Sequence, residues 1–251
     1  MVELVETTAC TIRGWFRQAQ PPLNQIMPLI EITPEIKYLP SIENPLSSDV
    51  VFIKPQDSDI TWIFDVGTSV EAAQLINQIE GKKNIVISHF HPDHILNLIK
   101  VKYDNLYVTK YTKKYTRAGE VVEGDQLFPD GIKISQIPSS HSKGCLILEY
   151  KDFAFLGDAT YVRFRLKARE YNVQLLEQMI KKLEEITAPN FCLSHDKTFV
   201  QPKESVLCIY KKILARRTNG NPTINVNDFF NADGGVKESE DSLGNNAKVK
   251  L

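Results

Sequence analysis

The segment "NIVISHFHPDHILNLI", Asn84 to Ile99, carries three of the chain's five histidines and an aspartate within six positions. His89 and His91 stand two apart at the end of an apolar run, and residues two apart in extended chain point the same way. Both imidazoles can therefore converge on one point. Asp93 and His94 follow where apolar periodicity resumes, so a turn into a helix would re-aim them toward a neighbouring point. Imidazole and carboxylate are what zinc takes, with manganese and iron as alternatives. Of the remaining histidines, His141 follows the apolar run "IKISQIPSS" and His195 ends "FCLS". At strand ends, ligands from separate strands can meet along one sheet edge. Asp158, in "FAFLGDATY", comes straight after another apolar run. Taken singly, each of these would be a satisfied core histidine or a turn-capping acid.

The rest of the chain supplies elements that can hold them. Short strands dominate from residue 29: "LIEITPEIKYLP", "DVVFIKP" and "ITWIFDVG", where Ile60, Trp62 and Phe64 alternate with Thr61, Ile63 and Asp65. "TSVEAAQLINQI" reads as a helix with a capping box from Thr68 and Glu71 and with Gly81 just past its end. "KKNIVISHF" is nearly all apolar, the pattern of a strand covered on both faces. "LYVTK", "IKISQIP", "CLILEY", "FAFLGDA" and "FCLSH" read as further strands. "REYNVQLLEQMIKKLEEI" is helical by the spacing of Leu175, Leu176, Met179, Ile180 and Leu183, and "KESVLCIYKKILARR" is a closing helix. Residues 1–28, broken at Pro21-Pro22, read as an N-terminal extension. Residues 218–251, polar and rich in Gly and Asn, read as a disordered tail. Strands and helices alternate without a Gly-rich phosphate loop or an internal repeat, so the expected class is mixed α/β (α+β) with layered sheets.

HxHxDH at 89–94, a lone histidine in "PSSHSKG", an aspartate in "LGDA" and a histidine in "LSHD", in that order, resemble the metallo-β-lactamase fold superfamily over residues 29–217. The resemblance implies a four-layer αββα sandwich whose metal site lies at one edge of two sheets. It also implies a hydrolase with two zinc ions per chain, or manganese or iron in their place. Carried over, one ion would be held by His89, His91 and His141. The other would be held by Asp93, His94 and His195, with Asp158 bridging both. Asp65, in "IFDVG", matches the acid that orients the histidine loop in this superfamily, as ligand imidazoles need their outer N–H held. Two divalent ions about 3.5–4 Å apart acidify a water and polarise the oxygen under attack. No serine or cysteine nucleophile is then required.

Among branches of the superfamily, "GDATY" followed by "SHD" resembles the N-acyl homoserine lactonases. Their tyrosine falls on Tyr161, placed to hydrogen-bond the substrate carbonyl or leaving group; core packing is the plainer role for that ring. Those lactonases carry a long insertion between the positions of Asp65 and His89, where only a helix and a short turn fit here. Glyoxalase II, the other near branch, uses a C-terminal helical domain that one helix and a polar tail do not supply. A true β-lactamase fits poorly with Asp158, a diiron oxygen reductase with His91, and the RNA-processing branch with only five histidines. The expected reaction is hydrolysis of an ester-type bond, in a lactone, thioester or carboxyl ester. Asp93, Asp158 and Tyr161 are its catalytic candidates. Phosphodiester cleavage on the same ions, or a metal-binding protein without turnover, are the rivals.

Arg163, Arg165, Lys167 and Arg169 recur at every second position after Asp158, and Lys143 lies two past His141. They read either as a solvated basic edge or as counter-charges to an anionic group on a small-molecule substrate. "KYTKKYTR", residues 110–117, reads as surface. A net charge of −1 and a pI near 6.5 argue against nucleic acid or an anionic membrane as partner. No apolar run reaches bilayer length, and no basic-then-apolar leader opens the sequence, so a cytoplasmic location is expected. The four cysteines, Cys10, Cys145, Cys192 and Cys208, form no CxxC pair and read as free thiols.

Overall fold

The computed structural model describes residues 29–165 and 168–229. The expectations for residues 1–28 with Cys10, for Lys167, for residues 230–251 and for the side chain of Arg165 lie outside them. Two sheets dominate the described residues. One has seven strands, in the order Ile30–Thr33, Ile36–Leu39, Val50–Ile53, Ile60–Phe64, Lys82–Val86, Asn105–Val108 and Glu120–Val121. The other has six: Gln126–Leu127, Lys133–Ile137, Cys145–Tyr150, Phe153–Gly157, Asn190–Leu193 and Val200–Pro202.

Alternation along the strands sorts the side chains into three apolar layers. Val51, Ile53, Trp62, Phe64 and Val86 meet Ile134, Leu146, Leu148, Phe155 and Cys192 between the sheets. Their neighbours Val50, Phe52, Ile63, Ile85 and Ile87 turn the other way, onto Ala72, Ala73 and Ile76 of the helix Val70–Gln78. Behind the second sheet, Ile147, Ala154, Leu156 and Phe191 pack on Leu176, Met179 and Leu183 of the helix Val173–Glu185 and on Val206 and Ile213 of the helix Lys203–Ala215. The result is the expected αββα sandwich. Its central strands are apolar on both faces because both faces are covered. Among the described residues no helix is long and apolar enough to cross a membrane.

Strand direction decides where chemistry collects. Ile60–Phe64 and Lys82–Val86 are parallel, so the segments after them, with Asp65 and residues 88–95, leave from one end of the first sheet. Phe153–Gly157 and Asn190–Leu193 are parallel too. Lys133–Ile137 reaches Phe153–Gly157 through two antiparallel steps, which gives it the same direction. His141, Asp158 and His195 therefore follow strands of one orientation. Ligand sites in open α/β sheets favour such carboxyl ends.

Three boundaries differ from the sequence reading. The first helix is capped by Ser69 rather than Thr68: the Ser69 hydroxyl accepts the Ala72 N–H at 3.0 Å. Thr68 instead donates its N–H to Ser47 Oγ at 2.9 Å and its hydroxyl to the Leu46 carbonyl at 2.8 Å. The helix expected from Arg169 starts at Val173, after a strand Ala168–Asn172, and Asn172 caps it by accepting the Leu175 N–H at 2.9 Å. Finally, the tail does not begin at 218 as a structureless segment. Thr223–Asn225 pairs with Ala168–Asn172, with Ile224 opposite Tyr171, and Ile224 and Val226 are buried in the core. Two apolar residues in a polar stretch are too short a signal to read as a strand from sequence.

Candidate metal centre

The strand Lys82–Val86 ends into Ser88 and His89, and Pro92 opens a single helical turn, Pro92–Ile95, with extended His91 as its cap. Proline suits the first helical position because its missing N–H would have no partner there. This change from extended to helical backbone splits the loop's ligands into two sets. His89 Nε2 lies 2.8 Å from His91 Nδ1, and His141 Nε2 lies 3.1 Å from the same atom. Asp158 Oδ2 lies 3.4 Å from His141 Nε2 and 4.0 Å from His89 Nε2. On the other side, Asp93 Oδ2 stands 3.1 Å from His195 Nε2 and 3.3 Å from His94 Nε2. Asp158 Oδ2 is 3.4 Å from His94 Nε2, and its Oδ1 is 3.9 Å from His195 Nε2. Each set of four, His89–His91–His141–Asp158 and Asp93–His94–Asp158–His195, has its donor atoms within 4.8 Å of one another.

The outer ring nitrogens are held from behind. Asp65 Oδ2 meets His94 Nδ1 at 2.8 Å, and its Oδ1 accepts the Ser88 N–H at 2.8 Å. Ser88 Oγ lies 3.0 Å from His89 Nδ1, placed to accept from that ring, and 3.2 Å from His94 Nδ1. His141 Nδ1 faces the Val162 carbonyl at 3.3 Å. With Nδ1–H engaged in this way, the Nε2 lone pairs of His89, His94 and His141 face inward. Gly157, at φ +53, brings the second sheet against the loop; a Cβ there would stand 2.7 Å from Ser88 Cβ.

The cluster's carboxylates and imidazoles shift one another, and against its burial Asp158 and Asp65 raise His94 well above the ordinary imidazole value. Burial pushes Asp158 up, but His94, His89 and His195 outweigh it and hold the carboxyl below the usual range. Asp93 is likewise held low against its burial, by His195 and His94. Burial drives His89 well below the ordinary imidazole value, with the neighbouring His94 adding to the effect. His94 Nε2 and Asp158 Oδ1 are buried without a hydrogen-bond partner. Unpartnered buried polar atoms are costly. Nitrogen and oxygen donors aimed at common points, two of them otherwise orphaned, fit divalent cations by type and number.

Tyr161 comes close to this cluster, its ring 6.3 Å from that of His141, but its hydroxyl donates to the Ser194 carbonyl. In this position the residue braces the segment leading to His195. Lys143 and Arg163 are exposed, two residues past His141 and one past Val162. Two residues escaped the sequence reading, Ser88 and Asp49. Asp49 is 4% exposed, and its Oδ2 accepts the His195 N–H at 2.8 Å and the Ser194 hydroxyl at 3.2 Å. Its Oδ1 accepts the Ser41 N–H at 3.0 Å. Burial raises its pKa despite these bonds. A single acid before "VVFI" looks like a turn residue, and only the all-apolar run after it marks the site as buried.

No protein-family model matches the sequence, and no curated protein does. Solved structures do. A metallo-β-lactamase from Hirschia baltica superimposes with a TM-score of 0.53 at 13% identity, over 74% of this chain and 97% of that one. The mono-zinc form of a metallo-β-lactamase from Pseudomonas aeruginosa gives 0.57 at 12%, over 75% and 95%. An archaeal metallo-β-lactamase superfamily protein from Sulfolobus tokodaii gives 0.52 at 18%, over 72% and 87%. With two facing sheets, helices on both outer faces and these structural neighbours, the chain has the metallo-β-lactamase fold.

Proposed function

We propose that this chain is a dinuclear metal-dependent hydrolase that cleaves an ester-type bond, in a lactone, thioester or carboxyl ester, of a small molecule. The observation that carries the reading is the shared carboxylate: Asp158 belongs to both four-residue donor sets. His89, His91 and His141 would hold one ion and Asp93, His94 and His195 the other, with Asp158 between them. Five imidazoles and two carboxylates without a thiolate suit zinc, with iron or manganese as the alternatives. Bound there, the cations supply an acidified water and polarise the substrate's carbonyl oxygen. The chain's own groups do the rest. Asp65 and Ser88 keep the outer N–H groups of His94 and His89 engaged, which fixes ring orientation through the reaction. Asp49 and Tyr161 fix the backbone on either side of Ser194, which aims His195. Asp93, half-buried and held ionised by His195 and His94, would serve as an anionic ligand on the second ion.

Metal per chain is measured on the purified protein, and a lactone, a thioester and bis-p-nitrophenyl phosphate are then assayed with wild type and Asp158→Ala. Two ions and ester-type turnover that vanishes in the variant support the reading. Turnover of the phosphodiester alone would replace it with phosphodiesterase chemistry. Full metal without turnover would leave a binding protein.

A further inference from the structure

The segment "TKYTKKYTR", residues 109–117, lies against the candidate ligand loops from outside. Thr109 Oγ1 donates to the Gly144 carbonyl at 2.9 Å, three residues past His141. Tyr111 packs so closely that a Cβ on Gly144 would stand 2.7 Å from its ring. Farther along, Tyr115 stacks flat on Phe90, with centroids 4.4 Å apart and 6° between the planes. Phe90 in turn meets the His91 ring edge-on at 5.2 Å. The segment thus adjoins His91 and His141, two members of one donor set.

It is also strongly basic. Lys110, Lys113, Lys114 and Arg117 are all exposed, and the segment has no acid. Among the described residues no carboxylate comes within ion-pair distance of these four or of Lys143, whereas Lys133 and Lys182 share Asp125. In a chain of net charge −1, this is a local excess of positive potential at one edge of the site.

We infer that the 110–117 rim is the anion subsite of the hydrolase: it holds a carboxylate or phosphate on a small organic substrate whose scissile bond lies over the His91–His141 side. This rests on the hydrolase reading. A run of nucleic-acid bases would need successive free aromatic faces. Here Lys110 and Lys114 lie 5.4 and 5.7 Å from the Tyr111 centroid, that ring packs on Gly144, and Phe90 is covered by Tyr115. Tyr115, stacked by one face on Phe90, is 59% exposed. That suits one flat group with its charge nearby.

The test uses the metal-loaded full chain and the double variant Lys110→Glu/Lys114→Glu, with Lys110→Gln/Lys114→Gln should charge reversal prevent folding. Mono-p-nitrophenyl glutarate and neutral p-nitrophenyl valerate are compared, alongside calorimetric binding of benzoate and phenyl phosphate, which separates the two anions without turnover. The variant is expected to raise KM for the glutarate ester about tenfold and to leave the valerate within twofold. About 1 M NaCl should erase the wild-type preference, because screening then acts within roughly 3 Å. Equal effects on both esters together with unchanged benzoate and phenyl phosphate binding would overturn the subsite. If neither ester is turned over but either anion binds and is weakened by the variant, the hydrolase reading fails while the anion site stands. Tight binding of a ten-residue oligothymidine, lost in the variant, with no discrimination between the esters, would reassign the segment to nucleic acid and overturn the proposal.

Discussion

Asp65 and His195 both hold φ of +60, a left-handed backbone that non-glycine residues avoid. Strain of this kind costs on the order of 1–3 kcal/mol and persists only where the surroundings fix it. For His195 those surroundings are visible: Asp49 takes its N–H, and Tyr161 takes the carbonyl just before it. Asp49→Ala would leave the His195 N–H and the Ser194 hydroxyl without their acceptor and should lower unfolding free energy by about 2 kcal/mol in a urea titration. A change below a few tenths would show that Asp49 does not hold the segment. Buried thiols give a second residue-scale prediction. Burial pushes Cys145 up to about 12 and Cys192 higher still, whereas Cys208 is exposed. At pH 8, well below these folded-state values, the thiolates of both buried cysteines are nearly absent. Iodoacetamide followed by peptide mapping should label Cys208 in the native protein and reach Cys145 and Cys192 only after denaturation. At this scale HxHxDH was legible because metals demand clustered donors of a few residue types. Ser88 and Asp49 were not, since a serine or an aspartate alone is compatible with any turn.

The central strands were legible as elements because Val50–Ile53, Cys145–Tyr150 and Phe153–Gly157 are buried along nearly their whole length. The same alternation, Val51 and Ile53 inward against Val50 and Phe52 outward, assigns them to layers. What sequence could not supply was pairing between distant pieces. Asn172 belongs to a strand end and a helix cap at once, and the strand Ala168–Asn172 is completed by Thr223–Asn225, fifty residues on. A chain ending at Arg217 would uncover Tyr171, 1% exposed, and remove Ile224 and Val226 from the core. We expect that truncation to cost about 2–5 kcal/mol or to prevent folding, read by calorimetry against the full chain. Equal melting of the two would show the added strand to be dispensable. Gly157→Ala tests the close approach of the sheets: positive φ and the Ser88 contact should together destabilise by more than about 1 kcal/mol.

Taken as a whole, the molecule uses one core between two sheets and two outer apolar layers to hold five histidines and two aspartates at a single rim. Gathering so many polar donors is unfavourable by itself, and cations that bind only the folded chain would offset it, by about 4 kcal/mol at a thousandfold excess over Kd. Chelation should therefore lower Tm and zinc should restore it; a Tm indifferent to metal would mean the cluster is satisfied without cations. Because fold alone is shared by proteins of many activities, the claim to test first is the ion pair. Anomalous X-ray diffraction on crystals of zinc-loaded protein should show two peaks about 3.5–4 Å apart, one among His89, His91 and His141, the other among Asp93, His94 and His195, with the Asp158 carboxylate between them. A single peak, or metal bound anywhere else on the surface with this cluster empty, would contradict the account.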